Sequence, residues 1–326
     1  MTTKFIYLTF LSLLVLSTSC KQKAENTDIL QDTINQEARA KIINVSEINS
    51  KIKNEENIVY KDATIVGDID FLYSEDFNLE TPILQKHHVN SSVLFHNCTF
   101  KGKVTAQKQE KELLKISEFN KNITFIKCTF QDTVNFTSSD FNDLVNFSES
   151  IFQEFVSFEA GAFNFKKNYF NKSHFQKPAK FNLVFANGDM NFFETIFDDN
   201  VLFQLAKFNN PVNFGASKFN KNADFTSVKF FDDVFFNYSE FLKKVNFNNS
   251  VFKARVEFIK VKFNYISEFK DCNFFSKTKY NNSEIIGVFS FENSVFYISN
   301  PEKLNVNIKE GSDFVLKNTQ YILNKK

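Results

Sequence analysis

Residues 201–230 read VLFQLAKFNNPVNFGASKFNKNADFTSVKF, with Phe at 203, 208, 214, 219, 225 and 230. The gaps alternate 5, 6, 5, 6, and the rhythm runs without a miss from Phe192 to Phe274. The repeat unit is 11 residues with two Phe in each, and a fixed period this short marks a stacked repeat. An α-helical reading fails, because residues five apart on a helix lie roughly 140° from one another and share no face. The filler, rich in Asn, Asp, Ser and Val, is also poor in strong helix formers.

A strand reading fits. Two residues before each Phe stands a small or apolar residue, and positions i and i+2 point to one side of a strand. Val201, Val212, Ala223, Val245 and Val256 precede one Phe of each unit in this way; smaller Ala206, Ser217, Ser239 and Ser250 precede the other. Each Phe thus marks a short strand with two inward side chains, and Asn, Asp, Ser and Lys form the corners. Three faces per coil would set a five-residue gap over a six-residue gap, so the number of faces is even. Two faces leave too thin an interior for opposed rings. Four faces, at 22 residues per coil, align every Phe. The expected fold is all-β, a four-sided parallel β-helix with coils about 4.8 Å apart. Each buried Phe contributes about 1.5–3 kcal/mol.

Ala223-Asp224-Phe225-Thr226-Ser227 resembles the repeat of the pentapeptide-repeat family, and Val212-Asn213-Phe214 and Val245-Asn246-Phe247 are close variants. The resemblance covers residues 58–298 and implies a right-handed quadrilateral β-helix. This chain differs in carrying Phe almost throughout and one extra residue in every second repeat. Some members of that family protect gyrase by mimicking DNA, which is the activity the resemblance would bring.

Composition narrows the function. The 326 residues hold 45 Phe, no Trp and 7 Gly, with a net charge of +1 from 39 basic and 38 acidic residues. Balanced charge argues against a nucleic-acid binder and against an acidic DNA mimic. The two Arg, Arg39 and Arg255, supply little bidentate anion recognition.

Residues 1–19 read as a signal peptide, with Lys4 followed by an apolar stretch from Phe5 to Leu16 that is too short to span a bilayer. Ser17-Thr18-Ser19-Cys20 resembles a bacterial lipoprotein signal, with Leu16 one place early; the resemblance makes Cys20 the lipid attachment site and places the protein in the cell envelope, as an outer-membrane lipoprotein facing the periplasm or the surface. Several acyl chains give stable anchoring. Residues 20–43 read as a tether. Residues 44–57 are expected to form a helix, with Val45, Ile48 and Ile52 at helical spacing and Asn44 or Ser46 as N-cap, covering the open first coil. The β-helix is expected over 58–298, broken by 78–92 and by a Lys-, Gln- and Glu-rich insertion at 101–118. One extra residue before Phe170 predicts a bulged corner. Residues 299–326 are expected to cap the last coil.

Few residues invite chemistry. Cys98, Cys128 and Cys272 sit at inward small positions as core thiols; Cys98 and Cys128 are expected one coil apart, close enough for a disulfide in an oxidising compartment. His87, His88 and His96 lack a completing ligand, so no metal site is assigned. Asp198-Asp199 and Asp232-Asp233 read as solvated corners. No phosphate loop, serine elbow or zinc-protease helix occurs, no cofactor is implied, and the corners are too short to form the groove of a polysaccharide-cleaving β-helix except at 78–92 and 101–118. The outward Phe231, Phe235 and Phe275 are the candidate contact residues, Phe275 two coils beyond Phe231. The favoured expectation is a non-enzymatic, lipid-anchored scaffold or protein-binding solenoid. The alternatives are a gyrase-protecting DNA mimic and a carbohydrate-active β-helix.

Overall fold

The computed structural model describes residues 41–73, 75–81 and 83–322. The chain divides into Met1–Lys41 and Ile42–Lys326, and the second unit is described below. The signal segment, Cys20 and the tether as far as residue 40 lie outside the described residues. From Ile58 onward the chain winds through four sheets, which with the earlier strand Lys41–Asn44 in the second number 10, 12, 11 and 13 strands. Ile58–Lys61 opens the first face, Ala63–Val66 the second, Ile69–Asp70 the third and Leu84–Val89 the fourth. Strands of successive coils pair in parallel, Phe208 with Phe230 and Phe230 with Phe252, at 22-residue steps. The expected four-sided parallel β-helix is borne out.

The interior is built of rings. On the first face Phe192, Phe214, Phe236 and Phe258 stack at 4.9 Å with planes 6° apart. Across the interior the first- and third-face columns meet edge to face, Phe203 on Phe214 at 5.2 Å and 83°. Stacking within a column and edge contact between columns both suit the ring quadrupole, adding about 0.5–1.5 kcal/mol per pair beyond burial. Ala106 interrupts the third-face column, and there Phe71 and Phe136, from the coils on either side, approach to 6.0 Å.

The alternation of five and six is an alternation of two corners. After most first- and third-face Phe the chain makes a tight turn in which the Phe carbonyl accepts the N–H three residues on, as in Ser139 to Phe136 at 3.2 Å and Ser217 to Phe214 at 3.2 Å. The residue before that donor has positive φ: 57° at Ser138, 58° at Glu194, 60° at Leu205 and 64° at Tyr238. Side chains in this left-handed region cost about 1–2 kcal/mol each, a cost the stacked coils on either side hold in place. The other two corners take one residue more and no such turn.

The small residue that follows the tight turn, such as Ser217 or Ser250, was legible from sequence only as a small inward side chain. The structure adds a polar reason. Ser150 Oγ donates to the Phe125 carbonyl one coil back at 2.8 Å and accepts the Cys128 N–H at 3.0 Å. Ser173, Thr195, Ser217 and Ser250 donate in the same way, at 2.6–2.8 Å. Cys272 Sγ does so at 3.0 Å. A carbonyl turned along the stack at a buried corner thus gains a second partner.

The ends and insertions depart from the repeat. Helix α1 (Val45–Lys53) is capped by Asn44, whose side chain accepts the Ser46 N–H at 2.9 Å, and buries Ile48 and Ile52. The two breaks in the pattern are β-hairpins on the fourth face: Phe77–Thr81 with Leu84–Val89, and Gln107–Glu110 with Leu113–Phe119. The segment expected to cap the last coil adds further parallel strands, Val306–Ile308, Asp313–Val315 and Gln320–Tyr321, to three of the four sheets.

Candidate functional site on the outer corner of the later coils

The corner from fourth face to first face carries one outward residue per coil in vertical register. Asn90, Asn120, Asn142, Asn164, Asn187 and Asn209 fill it in the earlier coils. Each amide donates to the Oδ1 of the one before, at 2.8–3.1 Å. An amide is both donor and acceptor, so such a ladder satisfies itself along the stack. One coil later the column changes to Phe231, Lys253, Phe275 and Tyr297. Their N–H groups donate to Phe208, Phe230, Phe252 and Phe274, which fixes the one-coil spacing. Phe275 and Tyr297 stack at 4.5 Å and 7°, and Lys253 Nζ lies 3.7 Å from the Phe275 ring centre. Phe231 is 45 % exposed.

Phe235 follows on the first face, half-buried, with the Arg255 guanidinium 5.2 Å from its ring centre. Arg255 is steered by Asp233, one coil back: its N–H and Nη2 reach the two carboxylate oxygens at 2.9 and 2.7 Å. Its Nη1 lies 3.5 Å from Glu257, which also receives Lys279 at 2.8 Å and Asn237 at 2.9 Å. Burial pushes the Glu257 carboxyl up, but Lys279, Asn237 and Arg255 outweigh it and hold the group below its ordinary value. The result is a mixed aromatic and cationic surface, with cation–π contacts worth about 0.5–1 kcal/mol at exposed positions.

The structure places Phe231 and Phe275 in one column, as their 44-residue separation predicted, and Phe235 on the adjoining face. Lys253, Arg255 and Tyr297 were missed. The signal for two of them was available: steps of 22 from Phe231 reach Lys253, Phe275 and Tyr297. The corner acids are not merely solvated. Asp233 holds Arg255, while Asp198 meets His174 Nε2 at 2.5 Å and Asn220 at 2.7 Å.

Cys98 and Cys128 lie in adjacent coils, beside the paired Thr99 and Thr129, and are free buried thiols in this structure. Their Sγ atoms lie 3.7 and 3.6 Å from the Tyr60 and Phe95 carbonyls. Burial pushes Cys128 well up, and pushes Cys272 up to about 12. The histidines do not converge. His87 is buried beside Phe77, with ring centres 5.3 Å apart; His88 Nδ1 lies 3.2 Å from Glu118; His96 is on the first face. Among the described residues no group of three His, Cys, Asp or Glu side chains is placed to hold a metal. No protein-family model matches the chain, and neither a curated protein nor a solved structure matches it, so its description rests on the coil geometry above.

Proposed function

We propose that the chain is a non-enzymatic bacterial envelope lipoprotein, anchored through acyl chains on Cys20, whose solenoid is a rigid scaffold that docks a protein partner at the Phe231–Tyr297 corner. The 22-residue coils with Phe at nearly every fifth position agree with a divergent pentapeptide-repeat protein. The change in the corner column carries the reading. A self-satisfied Asn ladder gives way, at the same backbone position, to Phe231, Lys253, Phe275 and Tyr297, with Phe235 and Arg255 beside them. Nothing in the coil geometry requires that change, and aromatic and Arg side chains are the types that concentrate at protein interfaces. Ring stacking of Phe275 on Tyr297 and the ion pair of Arg255 with Asp233 hold these side chains before a partner arrives, which lowers the entropy cost of docking.

DNA mimicry fits the surface less well. Outer corners pair charges of opposite sign between coils, Lys127 with Glu149 at 3.7 Å and Lys172 with Glu194 at 3.6 Å, so they present no run of carboxylates resembling a phosphate backbone. The test is crosslinking of the full-length protein in intact envelopes, comparing the natural sequence with the double variant Phe231→Ser, Phe275→Ser, alongside acyl labelling of Cys20→Ala. The expected result is a discrete crosslinked species lost in the double variant, and labelling lost in Cys20→Ala. The same crosslinked species at full yield in the double variant would overturn the docking site. Persistent labelling in Cys20→Ala would overturn the anchor.

A further inference from the structure

A shallow cleft of about 230 Å³ opens on the first face, lined among others by Lys167, Asn168, Tyr169, Asn191, Asn213 and Phe235. Its cause is the one-residue excess between Phe163 and Phe170. The chain loops outward at Phe165 and Lys166, and Gly188 of the next coil lies directly against that loop. A Cβ there would stand 1.7 Å from the Phe165 carbonyl oxygen. The loop shifts Asn168 into the inward position that Val145, Met190 and Val212 occupy in neighbouring coils.

Asn168 is fully buried. Its Nδ2 reaches the carbonyls of Phe165 and Asp189 at 3.3 and 3.4 Å, while its Oδ1 has no partner among the described residues. An orphaned buried acceptor is destabilising, and an apolar residue would serve the core better. Beside it, Tyr169, Asn191, Asn213 and Phe235 stand in one vertical column, each paired to the next. Three coil steps separate the two rings, about 14 Å at the inter-strand spacing. Between them Asn191 Oδ1 accepts the Phe193 N–H at 3.0 Å and Asn213 Oδ1 the Gly215 N–H at 2.8 Å. Those bonds set the orientation of both amides and leave their Nδ2 groups without a protein partner among the described residues. Lys167 and Asp189, paired on adjacent strands, add one charge of each sign.

We infer that this cleft is a subsite for a neutral oligosaccharide. The occupant must present acceptors to two fixed amide donors. It must also offer apolar C–H faces to the Tyr169 and Phe235 rings, and it gains nothing from net charge. A pyranose chain has all of these along its length. A peptide strand fits less well, because the first-face backbone already bonds from coil to coil and offers no edge to extend. The assignment is separate from the protein-docking corner, sharing only Phe235 with it.

The test is isothermal titration of the full-length protein with cellotetraose and with chitotetraose, heparin and a tyrosine-rich peptide serving as controls. Expected is saturable, salt-insensitive binding of a neutral tetrasaccharide. Tyr169→Ala and Asn213→Leu should each weaken it about tenfold or more, equivalent to about 1.4 kcal/mol. Asn246→Leu, an outward amide on the third face, and Phe231→Ser should leave it unchanged. Asn168→Val, which replaces a buried amide that faces the core, should raise Tm and leave binding unchanged. The inference is overturned if neither tetrasaccharide binds, if Tyr169→Ala and Asn213→Leu bind as the natural sequence does, or if only heparin or the peptide binds.

Discussion

Phe230 and Phe231 are neighbours in sequence and opposites in the molecule, 1 % and 45 % exposed. The first belongs to the interior columns, stacked on Phe208 at 5.5 Å and Phe252 at 5.2 Å. The second belongs to the outer corner, where the Asn ladder ends. Inside, nearly every coil repeats the same ring because each ring packs on its copies, and a change in one coil is felt by two others. Outside, register is kept by the backbone alone, so the side chain is free to change from coil to coil. The regular interior therefore carries the fold, and the irregular exterior carries whatever recognition the molecule has.

The largest expected break of this contrast is Phe230→Ala, which removes a ring from a filled column and should cost about 3–5 kcal/mol in denaturant unfolding. A loss below about 1 kcal/mol would show that the columns do not carry the fold. Ser250→Ala comes next. It takes the hydroxyl partner from the Phe225 carbonyl and the Val228 N–H, for an expected loss of about 1–3 kcal/mol, whereas Ser250→Thr should keep most of the stability. A smaller effect of opposite sign is expected at the exposed tight corner: Leu205, at φ 60°, is better replaced by Asn, which tolerates that region. Leu205→Asn should raise stability by about 1 kcal/mol, and a lowered Tm would count against corner strain. The smallest is Phe231→Ser, which should move Tm by no more than a surface change does, within about 0.5 kcal/mol, while abolishing the expected crosslink.

Much of the architecture was legible, because periodicity is a property of the chain taken in order. Alternating gaps demanded an even number of faces, and the spacing of Val45, Ile48 and Ile52 marked α1. The reason for the alternation was not legible. Ser138, Glu194 and Leu205 share the left-handed conformation but no side-chain chemistry, since the turn is imposed by the coils above and below and not by local preference. Nor did the sequence reveal the hairpins at 77–89 and 107–119, whose strands pair antiparallel with partners inside the insertion.

The candidate sites were legible only in part. Outward Phe231, Phe235 and Phe275 broke the pattern and so were visible; Lys253 and Tyr297 were reachable by steps of 22 from Phe231, whereas Arg255 gained meaning only from Asp233 one coil away. Asn168 was hidden more deeply, because a single inserted residue moved an amide from the outer surface to the inner one, as any one-residue shift in a strand does.

The order of residues alone determined that this chain stacks Phe in a four-faced tube, since a repeat matched to strand geometry has one way to bury its rings. Tertiary structure alone decided which side chains meet between coils, where a carbonyl needs a hydroxyl and where a cleft opens. Those contacts join residues about 22 positions apart, and a one-residue insertion re-aims every side chain until the register is restored.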